Sequence, residues 1–403
     1  MNRIPIEDEI VALRRDLHRH PELSGQETRT AGLVAAELER LGLKVIRAPE
    51  RGNSLLGMLD TGRPGRTLAL RADMDALPLQ ENACNLKGPK AFVSEIDGAA
   101  HMCGHDFHTA GMLAAARRLS AMKERLRGRL IFCFESGEEM GLGDDARALL
   151  AELKSVDAVF GVHVQAAFPC GTVAVIDGSC TAGCETFAVK VRGKSAHGAT
   201  PHLGLDPINC AAQILCGANA IVSRRVNARE AAVLTVCNFH GGSTWNRIPD
   251  ECRMEGSLRF FSEQVGRDLH ALLEQTAAGI AMADGCTAEV HWHNWCPPSV
   301  NDAALAALAR AAAEKTGAEA IAGEPWMASE TFARYREICP EVLAFVGCAN
   351  PDKGCGAPQH SDRFDADEDC LALSAALTAQ FAQDFLGGQK GAAMPRPEIC
   401  FAQ

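Results

Sequence analysis

The sequence predicts an α/β protein: a mixed sheet assembled from both ends of the chain, carrying an inserted ferredoxin-like α+β domain. Two observations lead there. Short apolar runs punctuated by Gly and Pro alternate with helix-period segments over 43–164 and the texture resumes over 302–388, which is the alternation of a sheet with helices on its faces. Between them, 184–293 reads strand, helix, strand, strand, helix, strand, the order of a split βαβ unit that forms its own layer. The larger domain is therefore expected at 1–183 and 294–403, and the insertion at 184–293.

Ile10, Leu13 and Leu17 share one face of a first helix; after Pro21, a second pattern runs through Leu33, Val34, Leu38 and Leu41 until Gly42 stops it. Strand-like runs follow at 43–46, 54–59 and 67–71, apolar throughout as strands buried on both faces are. Helical patterns at 109–122 and 144–153 alternate with strands at 129–134 and 158–164. In the insertion, strands are expected at 185–192, 231–239, 251–260 and 287–293, and helices at 206–222 and 262–282. A strand at 342–346 and a helix at 370–385 close the larger domain, and the tail after Gly387, with Pro395 and Pro397, is expected to be loosely ordered.

The chain has 403 residues, 47% hydrophobic and 23% charged, enough to bury a large core in more than one domain. A formal charge of -11 argues against nucleic acid or an anionic membrane as partner, and points to small soluble ones. No apolar run reaches bilayer length and the first ten residues lack the apolar stretch of a secretory signal, so a cytoplasmic location is expected. The 17 Cys are odd in number, scattered and without a CxxC pair, which reads as mostly buried free thiols in a reducing compartment.

The chemistry concentrates in His-Met-Cys-Gly-His-Asp-Phe-His, 101–108, where three imidazoles, a thiol and a carboxylate share eight residues. Gly104 lets the backbone turn tightly enough for Cys103 and His105 to converge on one point. Asp73 and Asp75 follow the strand at 67–71, and alternate residues of an extended segment point to one side. Glu138 and Glu139 follow the strand at 129–134; one can bind a cation while its neighbour removes a proton from water. His163 closes the strand at 158–164, and His360 lies in a loop after 342–346. Each alone has a plainer reading: a polar helix start, solvated aspartates, an exposed Glu-Glu pair, a core histidine, a loop histidine. Their joint occurrence at successive strand ends gives enough donors for two metal ions.

Taken together, Arg-Ala-Asp-Met-Asp-Ala-Leu-Pro (71–78), Cys-Gly-His-Asp-Phe-His (103–108), Glu138-Glu139, Gly-Val-His (161–163), Ala-His-Gly-Ala-Thr-Pro-His-Leu-Gly-Leu-Asp-Pro (196–207), Asn-Arg-Ile-Pro-Asp (246–250) and His360 resemble one family's signature. It is the N-acyl-amino-acid amidohydrolase branch, which includes hippurate and auxin-conjugate hydrolases, of the aminoacylase, carboxypeptidase and dipeptidase family of two-metal metallopeptidases. The resemblance spans about 10–385. It implies a zinc-exopeptidase-like catalytic domain, with the insertion as lid and dimerisation surface of a homodimer. It also implies two divalent cations, Zn2+ or Mn2+, held by Cys103, His105, Glu139, His163 and His360, with Glu138 as general base. Asp73 stands where related branches place a ligand histidine, so it and Asp75 are expected to support the ligands. His197 matches a lid histidine that stabilises the oxyanion, and Asn246 is a second candidate for that task. Arg259 is expected to grip the substrate carboxylate through paired hydrogen bonds. The implied reaction is hydrolysis of an N-acyl amino acid to a carboxylic acid and an amino acid, by water activated at the cations, with Glu138 passing the proton to the leaving amine.

Three departures from that pattern stand out: Met102 in place of alanine, Phe-Glu-Ser-Gly-Glu-Glu (134–139) in place of Phe-Gln-Pro-Ala-Glu-Glu, and Thr331 where aspartate is expected. None removes an expected ligand or base; they bear on the substrate. Within the enzyme class the alternative is a dipeptidase, or a deacetylase of an N-acetylated amino-acid intermediate. A non-catalytic binding protein would not need Glu138. A thiol or serine hydrolase would need a nucleophile and base further apart than Cys103 and His105, or a Gly-x-Ser-x-Gly elbow, which is lacking.

Overall fold

A computed structural model describes residues 6–47, 52–141, 144–153 and 155–387; the tail after Gly387 lies outside them. The chain divides into two compact units. One takes the chain up to Gly178, Val300–Glu324 and the chain from Thr331 onward; the other takes Ser179–Ser299 with Pro325–Glu330.

The larger unit is built on an eight-stranded mixed sheet in the order Lys44–Arg47, Leu55–Asp60, Arg129–Glu135, Thr67–Asp73, Ala158–Pro169, Glu341–Ala349, Thr172–Ala174, Glu319–Ile321. Its four central strands, Arg129–Glu135 to Glu341–Ala349, run parallel, and the strands outside them bring antiparallel pairings. Every residue of Thr67–Asp73 is buried, as the continuous apolar run requires of a strand covered on both faces. Helices His105–Ala121 and Asp369–Gly387 pack on each other and on the central strands, with Asp8–Arg19 and Ala303–Lys315 against them. In Asp8–Arg19 the buried residues are Ile10, Arg14, Leu17 and His18, so two polar side chains share the face turned to the core.

The smaller unit is a four-stranded antiparallel sheet in the order Ala232–Gly241, Glu251–Phe260, Gly183–Arg192, Thr287–Cys296, with helices Pro207–Arg225 and Glu263–Ala283 packed on it. In order of appearance the strands stand fourth, first, third, second across the sheet, so the ferredoxin-like plan holds. Phe187, Val189 and Val191 alternate into the core that both helices cover. Asp206 caps the first helix by accepting from the N–H groups of Ile208 and Asn209.

Two sequence-based expectations need correcting. The strand carrying His163 does not end at 164 but runs on to Pro169, because Glu341–Ala349 keeps pairing with it as far as Ala349 opposite Pro169; His163 therefore sits in mid-strand. The helix expected from 109 begins at His105, so the histidine loop itself forms the first turn. All described cysteines are free and most are buried. No described helix is long and apolar enough to cross a membrane.

Candidate metal centre

Sharp turns set the site. Gly104 has φ 90°, and a Cβ there would lie 2.3 Å from Val164 Cγ2, so only glycine lets the chain enter the helix at His105. Gly137, at φ 75°, makes the corresponding turn before Glu138. That turn is pinned by Glu27, whose carboxylate accepts from Gly137 N at 2.9 Å and Ser136 Oγ at 2.6 Å. His360 adopts φ 64°, rare for a side-chain-bearing residue, and is held there by its N–H to Met102 O at 2.8 Å.

These turns bring the donors together. Cys103 Sγ lies 3.6 Å from His163 Nε2. His163 Nδ1 donates to Val164 O at 2.6 Å, which fixes the tautomer and turns the Nε2 lone pair toward the thiol. His105 Nδ1 donates to Asp75 Oδ1 at 3.0 Å, while its Nε2 is buried without a hydrogen-bond partner, 3.7 Å from Glu139 Oε1. Glu139 Oε1 is likewise buried without a hydrogen bond, and His360 Nε2 stands 3.3 Å from it. Donor atoms of Cys103, His105 and His163, of Cys103, Glu139 and His360, of His105, Glu138 and Glu139, and of Asp73, His105 and His108 form four groups, each with its atoms within 4.8 Å of one another. Buried polar atoms left without a partner are rare in folded proteins and costly, and a cation is the partner this mixture of thiol, imidazole and carboxylate suits. The residues present therefore fit divalent metal.

Asp75 ties the cluster: besides His105 it accepts from Ser24 Oγ at 2.6 Å and from the main-chain N–H of Glu139 at 2.9 Å. Asp73 Oδ1 accepts from His108 Nδ1 at 2.6 Å, and Asp73 Oδ2 from Arg71 at 2.7 Å. His108 Nε2 in turn accepts the N–H of Val164 at 2.9 Å, so both its nitrogens are committed and no lone pair remains for a metal. His108 braces the site. Burial lowers the pKa of His105, but the carboxylates of Asp73, Asp75 and Glu139 outweigh it and hold the pKa well above its ordinary value. Burial and His108 push His163 well below, which keeps it a neutral imidazole. Glu138 is half-buried beside the donors, and one of its oxygens accepts from Thr331 N at 3.0 Å.

In the smaller unit, His197 and Asn246 meet at a short two-stranded antiparallel ladder, Ala196–His197 against Arg247–Ile248, with Gly198 N donating to Asn246 O at 2.8 Å. His197 is exposed, and its Nδ1 accepts from Ala199 N at 3.1 Å. Arg259 donates to Ser329 Oγ at 2.8 Å, within that same unit.

Sequence reasoning missed two buried networks. Arg71, Glu135, Thr331 and Tyr335 form one; Arg14, His18, Asp106, Glu81 and Lys90 form the other. His18 bridges Asp106 at 2.8 Å and Glu81 at 3.1 Å, and Lys90 reaches Glu81 at 2.8 Å. Burial would raise the Glu81 pKa, but His18, Lys90 and the Ser94 N–H outweigh it and bring it from 4.5 down to about 2. A depressed carboxyl stabilises the fold fully above its ordinary value and loses that contribution as pH falls through the folded one. Between pH 4.5 and about 2, stability should drop by on the order of 3 kcal/mol on this account, and Glu81→Gln should flatten that part of the curve of urea midpoint against pH. An unchanged acid limb in the variant would remove Glu81 as its source.

Fold and site together define a metal-dependent hydrolase, here of amide bonds. Peptidase family M20/M25/M40 matches residues 69–384, and the chain belongs to that family. It is 33% identical over 375 residues to an N-acetylcysteine deacetylase of Bacillus subtilis (strain 168), covering 93% of this chain and 96% of that protein. To an IAA-amino acid hydrolase of Arabidopsis thaliana it is 34% identical over 385 residues, 94% of this chain and 86% of the relative. The crystal structure of a Bacillus subtilis protein described as a dinuclear metal binding peptidase of the M20 family superposes with TM-score 0.82 at 31% identity, covering 94% of this chain and 98% of that one.

Proposed function

We propose that the protein hydrolyses the amide bond of small N-acyl amino acids in the cytoplasm, with two divalent cations, zinc or manganese, held by Cys103, His105, Glu139, His163 and His360. The observation that carries this is the convergence of those five side chains beside Glu138, with His105 Nε2 and Glu139 Oε1 buried and unmatched. A thiolate among the donors favours zinc, and the imidazoles and carboxylate also suit manganese. Cations there would polarise the scissile carbonyl and acidify water. Glu138 takes the proton from the attacking water and delivers it to the amine as the C–N bond breaks, leaving a carboxylic acid and an amino acid. Asp75 and Asp73 keep the histidines in register, directly and through His108. His197 and Asn246 serve as donors to the developing oxyanion, and Arg259 as the grip on the substrate carboxylate. The insertion, taken as 184–293 between catalytic segments 1–183 and 294–403, acts as lid and as the surface of a homodimer.

A deacetylase of an N-acetylated amino acid is the narrower form of the same reading, favoured by the name of the bacterial relative. The test is cleavage of a panel of N-acetyl, N-benzoyl and p-aminobenzoyl amino acids and dipeptides, after chelator treatment and after reloading with zinc or manganese. Activity should vanish on chelation, return with metal and be highest on one acyl class. Cleavage that survives complete metal removal would sink the proposal; preference for free dipeptides over every acyl amino acid would shift it to a dipeptidase.

A further inference from the structure

We infer that Thr331 aims the general base: its hydroxyl, clasped between Arg71 and Glu135, fixes the main-chain N–H that holds one oxygen of Glu138. This rests on Glu138 acting as the base, as proposed above. Thr331 opens the 3-10 helix Thr331–Glu337, so its N–H has no partner within that helix and is directed outward, 3.0 Å from Glu138 Oε1. Where that N–H points depends on how the residue is anchored. Thr331 Oγ1 accepts from an Arg71 terminal nitrogen at 3.0 Å and donates to Glu135 Oε1. Arg71 reaches Glu135 Oε2 at 2.7 Å through Nε and Asp73 at 2.7 Å through its other terminal nitrogen, and Tyr335 OH donates to Glu135 Oε2 at 2.8 Å. None of these side chains is more than 4% exposed. In such surroundings every polar atom is committed and the geometry is rigid.

The charges explain why a hydroxyl stands at 331. Arg71 already faces two carboxylates, Asp73 and Glu135. An aspartate at 331 would add a third, beside Glu135 and next to Glu138, and could not donate to Glu135. Two of the departures from the family pattern, glutamate at 135 and threonine at 331, thus amount to one carboxylate moved from one side of Arg71 to the other. Thr331 is a positioning residue: it acts on the reaction through Glu138, and its hydroxyl is spent on Arg71 and Glu135.

The test measures kcat, KM, bound metal and melting temperature of the fully loaded enzyme on the best panel substrate for Thr331→Val, Thr331→Ser, Thr331→Asp, Glu135→Gln and Glu135→Gln/Thr331→Asp, with Glu138→Gln alongside. Thr331→Val should lower kcat by about 30-fold with KM and metal content near parental values, because the base is misaimed and binding is not. Thr331→Ser should stay within about threefold of the parent. Thr331→Asp alone should be poor, and the double variant should recover most of the lost kcat when each is assayed well below its own melting temperature, so that the non-additivity is read in the site and not in stability. Parental kcat in Thr331→Val while Glu138→Gln is inactive overturns the inference and leaves the base standing. A fully active Glu138→Gln overturns the base itself. If Thr331→Val does not fold, the cycle decides: a double variant no better than its worse single overturns the inference.

Discussion

Glu138→Gln should lose about three orders of magnitude in kcat while keeping its full complement of metal. Positioned general acid–base groups contribute about 10²–10⁴-fold, and this one is asked to act twice, on water and on the leaving amine. The amide is nearly isosteric with the carboxylate and still accepts the Thr331 N–H through its carbonyl oxygen, so the half-buried side chain should stay where it is. What it cannot do is take a proton. Glu139, next in sequence, keeps the buried oxygen that faces His105 and His360, so the donor cluster is untouched. Metal analysis beside steady-state kinetics on the best acyl amino acid checks this. Parental activity would exclude Glu138 as base, and loss of metal in step with activity would move it into the ligand set.

The sequence and the structure part company in an instructive way. Apolar runs and helix periods find the central strands and the inserted βαββαβ unit because those elements bury continuous or alternating faces, and burial is what such patterns record. The same logic fails where pairing, not apolarity, extends an element: Gln165, Ala166 and Ala167 carry no strand signal, yet Glu341–Ala349 holds the strand together to Pro169. The return of Pro325–Glu330 to the smaller unit, with Thr181 bridged to Trp326, is equally silent in the pattern.

At the site, residue types and motif spacing pick out the side chains that the fold brings together. Their supports stay hidden because the partners are remote in sequence. Arg71 lies 64 positions from Glu135 and 260 from Thr331, and His18 lies 88 from Asp106. One clue is legible: Arg14 and His18 fall on the helix face that Ile10 and Leu17 also occupy, and charged side chains at core positions need buried partners.

Asp106 is that partner, and Asp106→Ala should cost about 3–5 kcal/mol of stability, the penalty for leaving a buried charge uncompensated. Its carboxylate is fully buried, 2.9 Å from Arg14 Nε and 2.8 Å from His18 Nδ1. Burial works against its ionisation, but Arg14 and His18 hold its pKa well below the usual carboxylate range. With the carboxylate gone, His18 keeps Glu81, but Arg14, stacked 3.9 Å over the Phe107 ring and 2% exposed, keeps among the described residues one carboxylate, Glu368 at 3.5 Å, and the neutralising charge beside it is lost, with His18 Nδ1 at 3.3 Å left as a further contact. A loss of that size is a large fraction of the ~5–15 kcal/mol that holds an ordinary domain together. Asp106→Asn retains an acceptor without the charge and should lose less. Because Asp106 follows the candidate ligand His105 and its Oδ1 accepts the next N–H, from Phe107 at 3.0 Å, the alanine variant should also bind metal more weakly. Urea unfolding of both variants, with metal titrations at matched temperature, separates the effects. An Asp106→Ala midpoint equal to the parent's would mean that Arg14 finds water or another carboxylate at no cost, and that the network behind the histidine loop is not what fixes it.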